Sequence, residues 1–168
     1  MSDSLLNIWY RDTPDSCMAA KVMEKYHKEF SFVGSSAPDF NLKNLDGSVI
    51  NLSDLRGKVV LLDFWSVTCA PCLKAIPSSN EFQSAFKNED FVLVTICCDS
   101  GDSAWRTVIK NKKWQGTHLF ANNQKLLMHM YNVGAFPTYI LIDKNGKIAG
   151  TVEGPGEQLK DQVRLLLQ

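Results

Sequence analysis

A nearly continuous apolar run over residues 58–65 gives the strongest indication of the fold. A run of this kind, without the alternation of a half-exposed strand, is typical of a strand buried on both faces. Residues 91–97 form a second such run. Between the two, the pattern over residues 71–87 is helical, with Pro77 inside it. The order strand, helix, strand predicts an α/β fold with a mixed central sheet flanked by helices.

Weaker patterns predict the remaining elements. Phe40 and Leu42 alternate with polar residues, and the Asp46-Gly47 turn returns the chain, which predicts an N-terminal β-hairpin. Further strands are predicted over residues 117–120, 138–142 and 148–152, and further helices over residues 103–110, 123–131 and the C-terminal stretch around Leu159 and Val163. The last two of these strands form a second hairpin.

The chain of 168 residues fits one domain with a short appendage. Residues 34–168 form the predicted domain, and residues 1–33 an N-terminal helical extension, with apolar residues at helical spacing after Asp15. We expect this extension to be the end of a larger upstream region.

Charge and hydropathy exclude several partner classes. The 18 basic and 18 acidic residues give a formal net charge of zero, which predicts neither nucleic-acid binding nor a polybasic membrane patch. The sequence contains no run of about 18 apolar residues, so it predicts no membrane span. Residues 1–12 carry charges where the apolar core of a signal peptide would lie.

Cys69 and Cys72 stand where the first apolar run gives way to the helical pattern. Residues three apart in a helical turn lie about 5–6 Å apart, within the range that a disulfide requires. Cys69 falls at the helix N terminus, where free amides and the helix dipole stabilise a thiolate. Cys72 lies one turn further in and suits the resolving role. Pro71 is compatible with a first helical turn.

The alternative interpretation is that Cys69 and Cys72 supply two of the four ligands of a zinc site. Zinc would require a second pair of ligands at suitable spacing. Cys97 and Cys98 are adjacent, so on a strand they point to opposite faces, and the three histidines are far apart in sequence. We therefore expect no metal, and we interpret Cys97 and Cys98 as small buried apolar residues.

Residues 63–72, with Pro77 five positions on, resemble the active site of the thioredoxin superfamily. Residues 37–40, 52–58 and 134–143 are more narrowly similar to its TlpA-like branch. The resemblance covers about residues 34–168. It implies a thioredoxin-like fold and a thiol–disulfide oxidoreductase without a cofactor. Such a protein exchanges disulfides with protein substrates and an upstream thiol electron donor.

Members of this branch mostly act as reductants outside the cytoplasm. The resemblance therefore implies the bacterial periplasm or cell envelope as the location. We also expect a monomer.

The resemblance implies a role for Asp63 as the acid that accepts or relays the proton of Cys72. An acid inside an apolar run is costly when charged, so burial should raise its pKa. The alternative is a hydrogen-bonded structural carboxylate near a strand end.

The family places a cis-proline opposite the dithiol, here Pro137, with the backbone of Phe136 presented to a peptide. The alternative is an ordinary edge-strand proline. Substrate contacts are also expected from Thr68, Ala70 and Pro71. The family usually has Trp where Thr68 stands, and a hydroxyl there could donate to the thiolate.

Three further questions stay open at this level. Trp65 could form part of the substrate-binding rim or fill the core. A thiol peroxidase on the same fold would have Ser66 three residues before its cysteine, but Leu62 stands where that chemistry would want a proline. A non-catalytic binding module, docked through residues 1–33, is the third possibility.

Overall fold

The computed structural model describes residues 33–99, 101–121, 123–152 and 154–168. Except for Val33, the predicted N-terminal extension over residues 1–33 lies outside the described residues. The domain boundary near residue 34 therefore stays a prediction.

The described residues form seven strands, four helices and one 3₁₀ turn. The strands are β1 Asn41–Asn44, β2 Val49–Asn51, β3 Val59–Trp65, β4 Phe91–Cys97, β5 Thr117–Phe120, β6 Thr138–Ile142 and β7 Ile148–Val152. The helices are α1 Ala70–Ala85, α2 Asp102–Lys112, α3 Gln124–Met130 and α4 Glu157–Leu167, and the 3₁₀ turn is Leu52–Leu55. The predicted elements agree with these to within one or two residues at most ends.

All seven strands belong to one sheet with the order β2-β1-β5-β4-β3-β6-β7. β3, β4 and β5 are parallel to one another, whereas the other neighbours pair antiparallel. This arrangement confirms the α/β class, the mixed sheet and the thioredoxin-like fold. The carboxyl ends of the three parallel strands meet at one edge of the sheet, and α1 begins at that edge directly after β3.

Every residue of β3 is buried, because helices cover both faces of the sheet at its centre. Val60, Leu62 and Phe64 face one core layer, together with Tyr131. On the other face, Val59 and Leu61 pack in the layer that α1 and α4 cover. Successive side chains of a strand alternate between faces, so Asp63 and Trp65 also face α1.

Helix α1 runs through Pro77, which the sequence pattern predicted to lie inside it. Proline removes one helical hydrogen bond, so tertiary packing must hold this part of the helix. Its buried residues are Cys72, Ile76, Ser79 and Phe82, at helical spacing on the side that faces the sheet. Within the described ranges, no helix has the length and apolar character needed to cross a bilayer.

Candidate active site

Cys69 and Cys72 form a disulfide with their Cα atoms 5.3 Å apart. Cys69 is the N-cap of α1, and its Sγ accepts a hydrogen bond of 3.2 Å from the backbone N–H of Cys72. Cys69 is partly exposed and Cys72 is buried. The two sulfurs therefore differ in access: a molecule approaching from solvent meets Cys69 first.

Three backbone amides of the loop before Cys69 donate hydrogen bonds that hold it in place. The N–H of Cys69 donates to Ser66 O at 3.1 Å, and the N–H of Thr68 donates to Ser66 Oγ at 3.2 Å. The N–H of Val67 donates to Asp99 Oδ2 at 2.7 Å. Each of these amides thus has a partner within the loop or just after the end of β4, which fixes the entry into α1.

In this disulfide form, the hydroxyl of Thr68 bonds within the loop, with its Oγ1 2.9 Å from Ser66 Oγ. The expected donation to a Cys69 thiolate concerns the reduced form and stays a prediction. The Ser66 hydroxyl is engaged by the same bond to Thr68. A thiol peroxidase would instead use the hydroxyl of Ser66 next to its reactive cysteine. Thr68, Ala70 and Pro71 are all exposed around the disulfide.

Sequence reasoning missed Asp99. The available signal was its position just after β4, because residues that follow neighbouring parallel strands lie together at one end of the sheet. Besides Val67 N–H, its Oδ2 accepts the thiol proton of Cys97 at 3.3 Å. Burial, helped by the neighbouring Asp99, strongly raises the pKa of the Cys97 thiol, so this thiol remains a donor. Asp99 thereby joins the end of β4 to the active-site loop.

Cys97 and Cys98 are free and buried, as expected, and they face opposite sides of the sheet. Cys97 packs with Trp65 and Cys72, whereas Cys98 belongs to the other core layer. Burial raises the pKa of Cys98 to about 12. Over the part of the chain that the structure describes, His, Cys, Asp and Glu nowhere form a group of three that could hold a metal ion.

The carboxyl of Asp63 is 1% exposed, and its Oδ1 is buried with no hydrogen-bond partner among the described residues. Burial raises its pKa to about 8, because the charged form loses its hydration without gaining a donor. The pKa rise expected from the sequence is therefore present. Its side chain and that of Cys72 both lie between the sheet and α1.

Polar side chains from the neighbouring strands flank Asp63, and sequence reasoning missed them. Asp63 pairs with Thr95 on β4 and with Tyr139 on β6, and Thr95 pairs with His118 on β5. The sequence contained one signal for them: Thr95 interrupts the apolar run over residues 91–97, just as Asp63 interrupts the run over residues 58–65. Ser79 of α1 is also fully buried, and its Oγ has no partner among the described residues.

The peptide bond between Phe136 and Pro137 is cis and lies directly before β6. Phe136 packs against the same apolar cluster as Cys69 and Cys72. The structure therefore brings the proline loop and the disulfide to one end of the sheet. A groove of about 570 Å³ opens beside Pro137, and its lining includes Ala75 and Tyr139. Residues 154–159 form its other wall.

Trp65 is completely buried and packs on Trp114, with ring centroids 4.8 Å apart. A side chain without exposed surface cannot line a substrate-binding rim. Of the two roles left open for Trp65, the structure rules out the substrate-binding rim and places the side chain in the core, in the cluster against which Val67 and Cys69 pack.

The comparisons with known proteins agree with this geometry. The model of the AhpC/TSA family matches residues 33–151. The thiol-disulfide oxidoreductase ResA of Bacillus cereus is 34% identical over 141 residues, which cover 84% of this chain and 80% of that protein. ResA of Bacillus anthracis is 35% identical over 136 residues, covering 81% of this chain and 77% of that protein.

Solved structures of thiol-disulfide oxidoreductases have a similar fold. The thioredoxin domain of a thiol-disulfide oxidoreductase from Bacteroides vulgatus superposes with a TM-score of 0.74 at 30% identity, covering 81% of this chain and 98% of that chain. A thiol-disulfide oxidoreductase from Bacteroides fragilis has a TM-score of 0.72 at 27% identity, covering 79% of this chain and 100% of that one. The chain belongs to the AhpC/TSA family and is a thioredoxin-fold thiol–disulfide oxidoreductase.

Proposed function

We propose that this protein reduces disulfide bonds of protein substrates through Cys69 and Cys72. The observation that carries the proposal is the difference in access within the pair: Cys69 caps the helix and is partly exposed, whereas Cys72 is buried one turn further in. An exposed attacking sulfur and a covered resolving sulfur are what a two-step exchange requires.

In the first step, the Cys69 thiolate attacks one sulfur of the substrate disulfide. A Cys69–substrate bond forms, the substrate S–S bond breaks, and the second substrate sulfur leaves as a thiolate. In the second step, the Cys72 thiolate attacks Cys69, the Cys69–Cys72 bond forms, and the remaining substrate thiolate leaves. Two electrons pass from the dithiol to the substrate, so no cofactor takes part.

The helix N terminus supports the ionised form of Cys69. Its Sγ already accepts the N–H of Cys72 in the disulfide form. After reduction, the same amide and the positive end of the α1 dipole favour a thiolate at this position. The pKa of Cys69 should therefore lie below that of an ordinary thiol, which is the condition for attack near neutral pH.

Asp63 is the proposed proton acceptor for Cys72. A pKa of about 8 leaves a minority of the carboxyl ionised near neutrality, but that minority is a strong base for a carboxylate. Cys72 gives its proton to Asp63 as it attacks Cys69, and Asp63 returns the proton to the Cys72 thiolate when the disulfide is reduced again. Because Asp63 takes the proton during the attack, Cys72 does not have to form a free thiolate beforehand, which its burial would make costly.

The substrate would lie across Thr68, Ala70, Pro71 and the loop with Phe136 and Pro137. This assignment is supported by the exposure of the first three residues and by the groove beside Pro137. Proline has no N–H, so the backbone of Phe136 is the nearest pairing group for an extended peptide.

We further propose a location outside the cytoplasm, in the bacterial periplasm or cell envelope, with an upstream thiol donor that reduces the pair again. The support is the similarity of residues 34–168 to a branch that acts there as reductants. Labelling of intact cells tests the location: a thiol reagent that cannot cross the inner membrane should modify Cys69 after mild reduction. Labelling only after cell lysis would contradict it.

A monomer is the proposed assembly. The described residues expose only four large apolar side chains, Val33, Leu45, Val49 and Leu165, whereas extensive exposed apolar patches are what mark protein–protein interfaces. Sedimentation equilibrium should give the mass of one chain, and a dimer mass would contradict the proposal.

Trapping tests the reaction itself. In a Cys72→Ser variant, Cys69 can attack but the mixed disulfide cannot be resolved, so covalent complexes with substrate proteins should accumulate. Cys69→Ser is the matched control and should trap far less, because Cys72 is covered. The wild-type protein should reduce insulin disulfides in the presence of dithiothreitol. Absence of both trapping and insulin reduction would refute the proposal, and faster consumption of hydrogen peroxide than of disulfide would favour the peroxidase alternative.

A further inference from the structure

Four buried side chains form a row across the sheet on the face that α1 covers. In order from β6 to β5, they are Tyr139, Asp63, Thr95 and His118, and each is the register partner of the next. Register partners on adjacent strands point to the same face, with Cβ atoms about 5 Å apart. All four are at most 6% exposed. We call these four residues the polar row.

The hydrogen bonds of His118 determine which atom carries each proton. Its Nε2 lies 2.8 Å from the carbonyl oxygen of Trp114, which can only accept, so Nε2 carries a hydrogen. Burial lowers the pKa of His118, so the ring is neutral near pH 7 and Nδ1 holds a lone pair. Thr95 Oγ1 lies 2.8 Å from Nδ1 and must donate its single hydroxyl proton to it.

This donation has a consequence for Asp63. A hydroxyl has one proton, so Thr95 can offer only lone pairs to its other neighbours while it donates to His118. The structure agrees with this assignment, because Asp63 Oδ1 has no hydrogen-bond partner among the described residues. The ionised form of Asp63 is disfavoured because this oxygen has no hydrogen-bond donor among them. The protonated form is not disfavoured in this way, because its O–H can point toward the lone pair of the Thr95 hydroxyl.

We propose that His118, acting through Thr95, is a positioning residue for Asp63: it holds the hydroxyl proton of Thr95 away from the carboxylate and so keeps Asp63 protonated near neutral pH. If His118 is removed, the Thr95 hydroxyl is free to rotate and to donate to Asp63, which stabilises the carboxylate. This inference deepens the proposed function, and only its kinetic consequence rests on that function.

The other groups around the row are few. From β6, Tyr139 has its pKa raised by burial and by the charge of Asp63, so it remains a neutral phenol. On α1, Cys72 and Ser79 are buried on the side that faces the sheet, and on β4, the thiol of Cys97 lies one row further on.

Within the described ranges, the residues that the remaining helices bury against this face of the sheet are apolar. α4 presents Leu159 and Val163, while its Glu157 lies at the groove beside Tyr139. α2 presents Trp105 and Ile109, and its lysines are exposed. The proton arrangement of His118 and Thr95 is therefore the feature most able to tune Asp63.

The test follows the carboxyl carbon of Asp63 by NMR against pH in the disulfide form. In His118→Phe, the titration midpoint of Asp63 should fall by about one pH unit, the size expected for one gained hydrogen bond to a carboxylate. Thr95→Val should not lower the midpoint, because no hydroxyl is present. The double variant should return the midpoint close to the wild-type value.

Three outcomes would overturn the proposal: an unchanged midpoint in His118→Phe, an equal fall in Thr95→Val, or a double variant that behaves as His118→Phe does. A measurement on the wild-type protein covers the case in which a variant fails to fold. The ¹⁵N spectrum of the His118 ring should show the Nε2–H tautomer, and an Nδ1–H tautomer would refute the proposal.

Kinetics then separate this inference from the proposed function. If the midpoint of Asp63 moves as expected, the pH profile of disulfide exchange should move to lower pH by a similar amount. An unmoved profile would refute proton transfer between Asp63 and Cys72 while it leaves the role of His118 supported.

Discussion

The carboxylate of Asp99 accepts the backbone N–H of Val67 at 2.7 Å and so fastens the active-site loop to the end of β4. The two residues are 32 positions apart in the chain. Val67 lies two residues before Cys69, and the thiol of Cys97 donates to the same oxygen of Asp99. The position of Cys69 at the helix N terminus thus depends on a carboxylate that follows a different strand.

Removal of the Asp99 carboxylate should loosen the loop. We expect Asp99→Ala to lower the free energy of unfolding by about 1–2 kcal/mol, because the N–H of Val67 and the thiol of Cys97 lose their acceptor. Chemical denaturation of the disulfide form measures this. Asp99→Asn is the control: an amide oxygen can still accept the N–H of Val67, so most of the stability should remain. Equal losses in the two variants would contradict the role as a loop acceptor.

The same pair of variants tests the charge of Asp99. The carboxylate of Asp99 bonds to the loop two residues before Cys69 and opposes a negative charge there, so Asp99→Asn should lower the pKa of reduced Cys69 by a fraction of a unit. The rate of iodoacetamide alkylation as a function of pH measures that pKa. A rise in the pKa would show that the effect of Asp99 on Cys69 is not electrostatic repulsion.

Asp63 should make the stability of the disulfide form depend on pH. Its pKa is about 8 in the folded chain and near 3.8 in the unfolded chain, so the folded state holds more protons between these values. Stability should therefore fall as pH rises from about 4 to about 8, by up to about 1.4 kcal/mol per pH unit, and level off above.

Denaturant titrations at pH 5 and pH 8 measure this dependence. In Asp63→Asn, which cannot ionise, the difference between the two pH values should become much smaller. If wild type and variant show the same difference, another group is responsible. Insulin reduction by Asp63→Asn should also slow, because Cys72 loses its proton acceptor.

Gly154 lies where the groove wall meets Tyr139. Its φ of +129° is a conformation that other residues rarely adopt, and a Cβ there would lie 3.0 Å from Cε2 of Tyr139. Gly154→Ala should therefore lower the free energy of unfolding by about 1–3 kcal/mol. Gly150→Ala is the matched control, since a Cβ at Gly150 would meet no atom within 4 Å. Thermal unfolding of the two variants compares them, and similar melting temperatures would argue against this close packing.

Local sequence patterns were enough to predict the helices, the strands and the reactive pair of cysteines. Nearly continuous apolar runs predict β3 and β4 because burial on both faces disfavours polar side chains. The spacing of Cys69 and Cys72 at a strand–helix junction predicts a disulfide from local geometry alone. The raised pKa of Asp63 also follows locally, since a single acid in an apolar run has no hydration.

The polar groups that surround the pair of cysteines follow from the packing of distant segments. The bond from Val67 to Asp99 and the bond from Thr95 to His118 join segments that are distant in the chain, and only the parallel register of the sheet brings them together. The burial of Trp65 is of the same kind, because exposure depends on what packs above a residue. Local patterns report which face of an element is apolar, but they carry no information about which polar groups on separate strands become neighbours.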